Sequence, residues 1–347
     1  MTIKADVLRD FYYRALVAVG TETEEASITA DSLIDADLHG LETHGAFRIP
    51  AYVRTAKEGA LDPKGKPQVE WRKGAISLIN GNNGWGQPAA ELAVSEVIAN
   101  ARNSCLGAAG IYNGNHIGTC AYYARIMARA GLVGFVTTNS PPNMPPTGAA
   151  EAVLGTNPIC FSAPATGGRV ITVDMATSVV AKGKILLAAE RGEAIPEGWA
   201  VDKDGHPTTD SKAALGGYLL PLGGPKGYGL ALFADIFSGV LTGAEVAKNL
   251  KPMYAPKVFK SGIGAFLFGI DTAPFGAGDV SARMDKLIEM VVGAKRAEGV
   301  QKIYLPGEIE ASTAERRKRE GIPVSAAVLA NLNQVAGELN IAPLPPA

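Results

Sequence analysis

Two histidines and one arginine of this chain have the residue types and the spacing for proton transfer on a small acid. The chain has four histidines, and two lie in glycine-containing frames, Thr43-His44-Gly45 and Gly114-Asn115-His116-Ile117-Gly118. Imidazole titrates closest to neutral pH and is the usual group that moves protons in catalysis. Arg48 follows His44 by four residues, and its planar guanidinium can hold a carboxylate through two parallel hydrogen bonds. These residues indicate an enzyme that acts on a small acid.

The size and charge of the chain narrow its class. Its 347 residues, of which 47% are hydrophobic, can form two or three compact lobes. The formal net charge of −1 leaves no excess of basic groups for binding nucleic acid. The basic run at 316–319 is flanked by Glu315 and Glu320. We interpret it as a solvated helix face, with contact to a cofactor or a neighbouring subunit as the alternative.

The cysteines and the chain start favour a cytoplasmic protein. Cys105, Cys120 and Cys160 form neither a metal-type pair nor an even set, which favours a reducing compartment. The first 16 residues lack the apolar core of a signal peptide, and no segment has the roughly twenty apolar residues that span a bilayer. His39 and His44 lie five apart, unlike the i, i+4 pair of a helical metal site. We expect no membrane contact and no metal.

The elements that must position these residues alternate between strands and helices. An apolar stripe between Leu8 and Val17 and a helix start at Thr23 predict two N-terminal helices. Strands predicted at 75–80, 106–112 and 132–138 alternate with helices at 88–102 and 122–130. Further strands are predicted at 159–162 and 170–174, and further helices at 229–241, 281–296 and 324–339. The pattern is typical of an α/β fold.

Two glycine-rich segments resemble phosphate loops only in part. Residues 84–89 fit G-x-G-x-x-A, but the strand that follows ends in 110–115 without the carboxylate that binds a ribose hydroxyl in a Rossmann fold. We therefore favour a turn into a helix with Pro88 in its first turn. Residues 223–227 lack the spacing of a Walker loop, but their glycine-flanked amides and Lys226 could form a local anion site.

A series of short motifs resembles one known family. In chain order they are THGAFR (43–48), GNHIG (114–118), TNS (138–140), GTNP (155–158), DMATS (174–178), DGHPTTD (204–210) and GGPKGYG (223–229). Together they resemble the malate/L-lactate dehydrogenase family of NAD(P)-dependent oxidoreductases, over about residues 5 to 325. That family is similar to ureidoglycolate and sulfolactate dehydrogenases and to reductases of cyclic imino acids such as piperideine-2-carboxylate.

The resemblance implies a fold and an assembly. We expect a non-Rossmann, mixed-sheet NAD(P)-binding domain over 75–309. Residues 1–74 and 310–347 would form a mainly helical lobe that carries the histidine and arginine of the substrate site. Members of the family generally work as homodimers.

The resemblance also implies roles for residues. His44 is the candidate acid-base, His116 is its rival, and Arg48 is the carboxylate clamp. Thr43 stands where many relatives have serine, and its hydroxyl can still orient the imidazole of His44. The residues expected at the cofactor are His116, Ser140, Asp174, Met175, Ala176, Lys182, Gly183, Pro225, Lys226, Leu305, Pro306, Gly307 and Glu308.

The predicted function is hydride transfer between NAD or NADP and a small 2-hydroxy or 2-keto acid of the malate, lactate, sulfolactate or ureidoglycolate type. Two alternatives are an NADPH-dependent reductase of cyclic 2-imino acids and a non-catalytic dinucleotide-binding protein. A loop at 140–147 with four prolines, more than relatives commonly have, could set which substrate side chain is accepted. The sequence leaves open the substrate, the choice of NAD or NADP, and which histidine transfers the proton.

Overall fold

A computed structural model of the chain describes residues 1–253, 257, 259–275 and 279–345. The strands are β1 (Thr2–Ile3), β2 (Gln68–Lys73), β3 (Ile76–Asn80), β4 (Leu106–Gly114), β5 (Leu132–Thr138), β6 (Ile159–Pro164), β7 (Val170–Met175), β8 (Ala200–Val201), β9 (Tyr218–Leu219), β10 (Ile263–Asp271) and β11 (Ile322–Pro323). The α-helices are α1 (Ala5–Ala18), α2 (Thr23–Leu38), α3 (Ile49–Lys57), α4 (Gly86–Ser104), α5 (Cys120–Arg129), α6 (Lys182–Arg191), α7 (Ser211–Gly216), α8 (Pro225–Asp235), α9 (Val280–Val292), α10 (Glu308–Glu320) and α11 (Ala326–Leu339). Most of the predicted elements are confirmed, and the helix predicted at 229–241 is α8 continued by a π-helix, Ile236–Val240.

A mixed sheet of seven strands forms the centre of the α/β fold, in the order β2-β3-β4-β10-β5-β6-β7. Within the described residues, β3 and β4 pair in parallel and every other adjacent pair in this sheet is antiparallel. The predicted run β3-α4-β4-α5-β5 is present. However, β10, which was not predicted, lies between β4 and β5 and hydrogen-bonds to both.

The two faces of the sheet bury different helices. Side chains of α4 and α5 pack on one face, where Val136 and Leu267 are buried. Phe135 and Phe266, the neighbouring residues on the same strands, point to the other face and pack with Ala234 of α8. This alternation follows from the two-residue period of a strand. Helices therefore cover both faces of the central strands.

The N-terminal and C-terminal segments share a second core. Buried side chains of α1, α2 and α3 pack against α11, and β1 pairs with β11. Trp85, at the turn before α4, belongs to the same core and donates a hydrogen bond from Nε1 to Thr21 at 2.9 Å. The turn between α2 and α3, which carries His44 and Arg48, is thus fixed by packing from both ends of the chain.

The loop that resembles G-x-G-x-x-A is a turn into α4, as favoured from the sequence. A Cβ atom at Gly86 would lie 2.4 Å from the carbonyl oxygens of Asn115 and His116. The glycine therefore permits two backbone segments to meet, and it sets the position of the His116 segment relative to α4. No helix in the described ranges is long and apolar enough to cross a membrane.

Candidate active site

The segment that carries His44 folds as two short 3₁₀ turns, Glu42–His44 and Ala46–Arg48. Asp37, near the end of α2 and 1% exposed, anchors this segment. Its two carboxylate oxygens lie 3.1 and 2.9 Å from the backbone N of Ala46, which donates to them, and the Tyr12 hydroxyl donates to Oδ2 at 2.6 Å. A Cβ atom at Gly45 would lie 2.1 Å from Cγ of Asp37, so position 45 has no room for a side chain.

Arg317 of α10 supports the same segment from behind. Its Nη1 donates to the carbonyl oxygen of Asp37 at 2.6 Å and its Nη2 to Oε1 of Glu42 at 3.0 Å. Arg317 is 8% exposed, so the interpretation of 316–319 as a solvated helix face is wrong for this residue. The other three members of the run are exposed. Arg317 lies on the inner face of α10, where it reaches the buried carbonyl of Asp37 and the exposed carboxylate of Glu42.

Burial perturbs the Asp37 carboxyl. It raises the pKa of Asp37 to about 7, although the Tyr12 hydroxyl and the Ala46 amide favour the charged form by hydrogen bonding. Asp37 was not predicted from the sequence, although a signal was present. Ala26, Ala30, Leu33 and Asp37 follow one another at helical spacing, and a carboxylate on an otherwise apolar helix face requires an internal partner.

His44 and His116 come together from distant parts of the chain. Their ring centroids lie 5.5 Å apart with the ring planes inclined at 31°. Burial and the positive charge of Arg48 lower the pKa of His44 to about 3. Burial, Arg48 and His44 lower the pKa of His116 well below its usual value. Both imidazoles are therefore neutral near pH 7 in the free protein.

Each imidazole has its own hydrogen-bonding neighbour. The Thr43 hydroxyl lies 3.0 Å from Nδ1 of His44, where the sequence placed an orienting group. The Tyr52 hydroxyl lies 2.7 Å from Nδ1 of His116, and Gln87 Nε2 donates to that hydroxyl at 2.8 Å. Tyr52 and Gln87 were not singled out from the sequence, because they lie on α3 and α4 and meet His116 only in the folded chain.

Apart from His116, the residues expected at a cofactor lie on other segments, several of them near the ends of β5 and β7. Ser140 follows β5, and its backbone N donates to Oδ1 of Asn157 at 2.9 Å. Asn157 in turn donates from Nδ2 to the Ala231 carbonyl of α8 at 2.9 Å. Asn157 lies in the GTNP motif, but no role for it was predicted from the sequence. It ties the Ser140 loop to the helix that starts at Pro225.

Asp174, at the end of β7, accepts a hydrogen bond from the Ala121 backbone N at the start of α5, at 2.8 Å. Asp174 is solvent-exposed, but many protein atoms surround its carboxylate. The resulting partial desolvation raises the pKa of Asp174 to about 6. Met175 and Ala176 follow directly. The next residue, Thr177, accepts from the Leu222 backbone N at 2.9 Å, which brings this segment beside the turn before α8.

The remaining predicted cofactor residues begin helices. Pro225 and Lys226 are the first residues of α8, and Lys182 and Gly183 are the first of α6. A Cβ atom at Gly183 would lie 3.4 Å from Cγ2 of Thr43, so the start of α6 borders the His44 segment. The N-terminus of a helix presents unpaired amides and a partial positive charge. With Lys226 exposed beside it, the start of α8 can bind a phosphate.

The segment Leu305–Glu308 lies along β7, where the Thr172 backbone N donates to the Pro306 carbonyl at 3.3 Å. It borders a cavity of about 1100 Å³. The wall of this cavity is rich in cations, namely Arg125, Arg129, Arg169, Lys295, Arg296, Lys302 and Lys318, against the carboxylates Asp35, Glu308 and Glu315. An anionic ligand is favoured there.

Over the described ranges, no three His, Cys, Asp or Glu side chains cluster closely enough to hold a metal ion. The site instead combines two neutral imidazoles, a guanidinium and helix N-termini. Residues 3–333 match the family model described as malate/L-lactate dehydrogenase. The chain belongs to the malate/L-lactate dehydrogenase family.

Relatives cover the chain almost completely. The malate/(S)-sulfolactate dehydrogenase of Methanothermus fervidus is 36% identical over 98% of this chain and 99% of its own length. The NAD(+) ureidoglycolate dehydrogenase of Escherichia coli K12 is 32% identical over 93% of each chain. The structure of Δ1-piperideine-2-carboxylate reductase from Pseudomonas syringae matches with a TM-score of 0.88 and 32% identity, over 97% of this chain and 100% of that one. Among the family relatives, some are named for NAD(+) and others for NADP(+).

Proposed function

We propose that this member of the malate/L-lactate dehydrogenase family transfers hydride between NAD or NADP and a small 2-hydroxy acid or its 2-keto counterpart. The observation that carries the proposal is the pair of facing imidazoles at 5.5 Å with Arg48 close enough to lower the pKa of both. An acid-base group and a carboxylate clamp at one site are what oxidation of a hydroxyl next to a carboxylate requires.

Arg48 holds the substrate carboxylate, and the histidine pair moves the proton of the substrate oxygen. The bound carboxylate offsets the positive charge of Arg48, so it raises the pKa of both histidines from their values in the free protein. Substrate binding thus brings the pKa of the acid-base histidine closer to the pH at which the enzyme works. The Thr43 hydroxyl, 3.0 Å from Nδ1 of His44, orients that ring.

The residues that would hold the cofactor are those predicted for it from the sequence. The start of α8 with Lys226 suits the pyrophosphate, and Asp174 suits the ribose hydroxyls, because a carboxylate accepts from them. His116, Ser140, Met175, Ala176, Lys182, Gly183 and Leu305–Glu308 complete the proposed contacts. When bound, NAD or NADP supplies or accepts the hydride. The cofactor domain we propose, over 75–309, is of the non-Rossmann type and joins a helical lobe of 1–74 and 310–347.

The assembly we propose is a homodimer through α8 and the π-helix that follows it. Phe233, Ile236, Val240 and Leu241 are 41–67% exposed and lie close together in the chain. A contiguous apolar surface on a soluble protein marks an interaction site. The three free cysteines support a reducing compartment such as the cytoplasm.

The test is absorbance at the reduced-nicotinamide band with NADH and NADPH in turn. The acids to compare are pyruvate, oxaloacetate, sulfopyruvate, oxalurate and piperideine-2-carboxylate. Oxidation of either cofactor with a keto acid supports the proposal and identifies the cofactor. Cofactor binding without turnover of any acid would contradict it and favour a non-catalytic dinucleotide-binding protein.

Reduction of a cyclic 2-imino acid is the second candidate, favoured by the likeness to the piperideine-2-carboxylate reductase structure. The same groups serve it, since an imine nitrogen takes a proton as its carbon is reduced. Turnover of the cyclic imine at rates well above those of every keto acid would assign the protein to this activity.

A further inference from the structure

The contacts of His116 determine which of its ring nitrogens carries a proton. The backbone N of Gly118 lies 3.2 Å from Nδ1 and points its hydrogen at it. A backbone amide only donates, so Nδ1 accepts and carries no proton of its own. The opposite form, with a proton on Nδ1, would set two hydrogens against each other across this contact.

Tyr52 and Gln87 agree with this assignment. Gln87 Nε2 donates to the Tyr52 hydroxyl oxygen at 2.8 Å. Because Nδ1 of His116 already acts as an acceptor for Gly118, the Tyr52 hydroxyl, 2.7 Å away, is the donor in its contact with that nitrogen. Tyr52 is 2% exposed and Gln87 is fully buried, so solvent does not compete for these bonds. Two donors, one side-chain and one backbone, therefore point at the same nitrogen.

A neutral imidazole carries one ring proton, and with Nδ1 accepting, that proton is on Nε2. A second proton is disfavoured because burial, Arg48 and His44 all lower the pKa of His116. In this form Nε2 can donate a hydrogen bond but cannot take up a proton. His44 differs, because the Thr43 hydroxyl beside its Nδ1 can either donate or accept.

We propose that His116 donates a hydrogen bond from Nε2 to the substrate oxygen, that Tyr52 and Gln87 hold it in this form, and that His44 is the proton acceptor. This assignment rests on the proposed function. In oxidation the substrate O–H bond breaks and its proton goes to His44. The electron pair of the neighbouring C–H bond leaves with its hydrogen for the oxidised nicotinamide, and the carbon–oxygen double bond forms. Tyr52 and Gln87 are positioning residues, since they act through His116.

The direct test is long-range ¹H–¹⁵N correlation NMR on the full-length protein labelled in its histidines. Only four histidines contribute signals, and His44→Gln and His116→Gln assign the two of interest. We expect Nδ1 of His116 to resonate as an unprotonated nitrogen and Nε2 as a protonated one. Protonation at Nδ1 would overturn the proposal. This readout needs no turnover, so it remains decisive even if the enzymatic proposal fails on every acid tested.

The kinetic test compares glutamine at the two positions with the acid that the wild type turns over. A glutamine amide can replace the N–H donor of His116 but cannot accept the substrate proton in place of His44. We expect His116→Gln to lower kcat about 10-fold or less, and His44→Gln to lower it about 10²–10⁴-fold. The reverse order would refute the assignment of roles.

Tyr52→Phe removes one of the two donors to Nδ1 while keeping the ring. We expect kcat to fall by about 10-fold with the KM of the cofactor unchanged, and the NMR signature of Nδ1 to shift toward mixed protonation. Tyr13→Phe is the matched control, since Tyr13 is a partly buried tyrosine of the helical core. A Tyr52→Phe variant with wild-type kcat and an unshifted His116 signature would remove Tyr52 from the proposal.

Discussion

Adding one methyl group at position 45 tests whether Asp37 positions the His44 segment. In Gly45→Ala the new Cβ would begin 2.1 Å from Cγ and Oδ1 of Asp37 and 2.3 Å from Oδ2. Ordinary van der Waals contact starts at 3.4 Å, so the segment and the carboxylate must separate by about 1.3 Å. The carboxylate is fixed from outside the segment by the Tyr12 hydroxyl, so the movement falls on the segment itself.

A displacement of about 1 Å at a catalytic group lowers the rate by roughly 10²-fold. We therefore expect Gly45→Ala to reduce kcat/KM about 100-fold, with cofactor affinity unchanged in a fluorescence titration. Gly337→Ala in α11 is the control, because a Cβ there meets nothing within 4 Å. Circular dichroism and urea unfolding show whether each variant is folded.

A double-mutant cycle gives the sharpest version of this experiment. Asp37→Ala removes the atoms with which the new Cβ collides, although it also removes the acceptor for the Ala46 amide. In that background Gly45→Ala should cost less than about 3-fold, so the two substitutions are strongly coupled. An equal loss from Gly45→Ala in both backgrounds would refute the claim that the Asp37 carboxylate is what excludes a side chain at position 45.

Three further outcomes are expected. Arg48→Lys should raise the KM of the acid at least 10-fold in steady-state assays, because an ammonium cannot form two parallel bonds to a carboxylate; an unchanged KM would remove Arg48 from the clamp. The pKa of His44 lies below its unfolded value of 6.5, at about 3, so the unfolded chain binds the extra proton and stability falls as the pH drops from about 6.5 toward 3. His44→Gln should reduce this loss of stability at low pH, measured by urea unfolding at each pH. Asp37, whose pKa is raised, gives stability the opposite pH dependence, but it does so in both proteins and cancels in the comparison with wild type. Arg317→Met should lower the free energy of unfolding by about 1 kcal/mol, since it removes a buried hydrogen bond to the Asp37 carbonyl and the ion pair with the exposed Glu42 carboxylate. Arg316→Met, on the exposed face, should stay within about 0.5 kcal/mol of wild type.

Local periodicity predicted most of the sheet and helices, but it could not place them. The segments at 76–80, 106–114 and 132–138 stand out because apolar runs alternate with amphipathic helices. β10 has an equally apolar sequence, IGAFLFGID, and it was missed. Its position between β4 and β5 depends on pairing across more than 120 residues, and no local pattern reports such a pairing.

The candidate site likewise contains residues that could be predicted from the sequence and residues that could not. His44, His116 and Arg48 could be found because their residue types are rare or reactive and their frames are rich in glycine. Tyr52 and Gln87 are common residue types on ordinary helices. Tyr52 becomes relevant only through its hydrogen bond to His116, which lies 64 residues away in the chain. Arg317 looked solvated because its neighbours are charged, and only the packing of α10 against α2 shows that it faces inward.

In the mechanism proposed above, Arg48 connects recognition of the substrate to proton transfer. Its charge helps keep both histidines neutral in the free protein, and a neutral His44 can accept a proton from a hydroxyl. Once a carboxylate pairs with Arg48, the same imidazole holds a proton more readily, which stabilises the state formed as the hydroxyl is oxidised. With an alcohol that has no carboxylate, the charge of Arg48 would still lower the pKa of His44. His44 would then remain a poor base. We therefore propose that Arg48 selects acids twice, first by binding the carboxylate and then by making proton transfer favourable only when the carboxylate is bound.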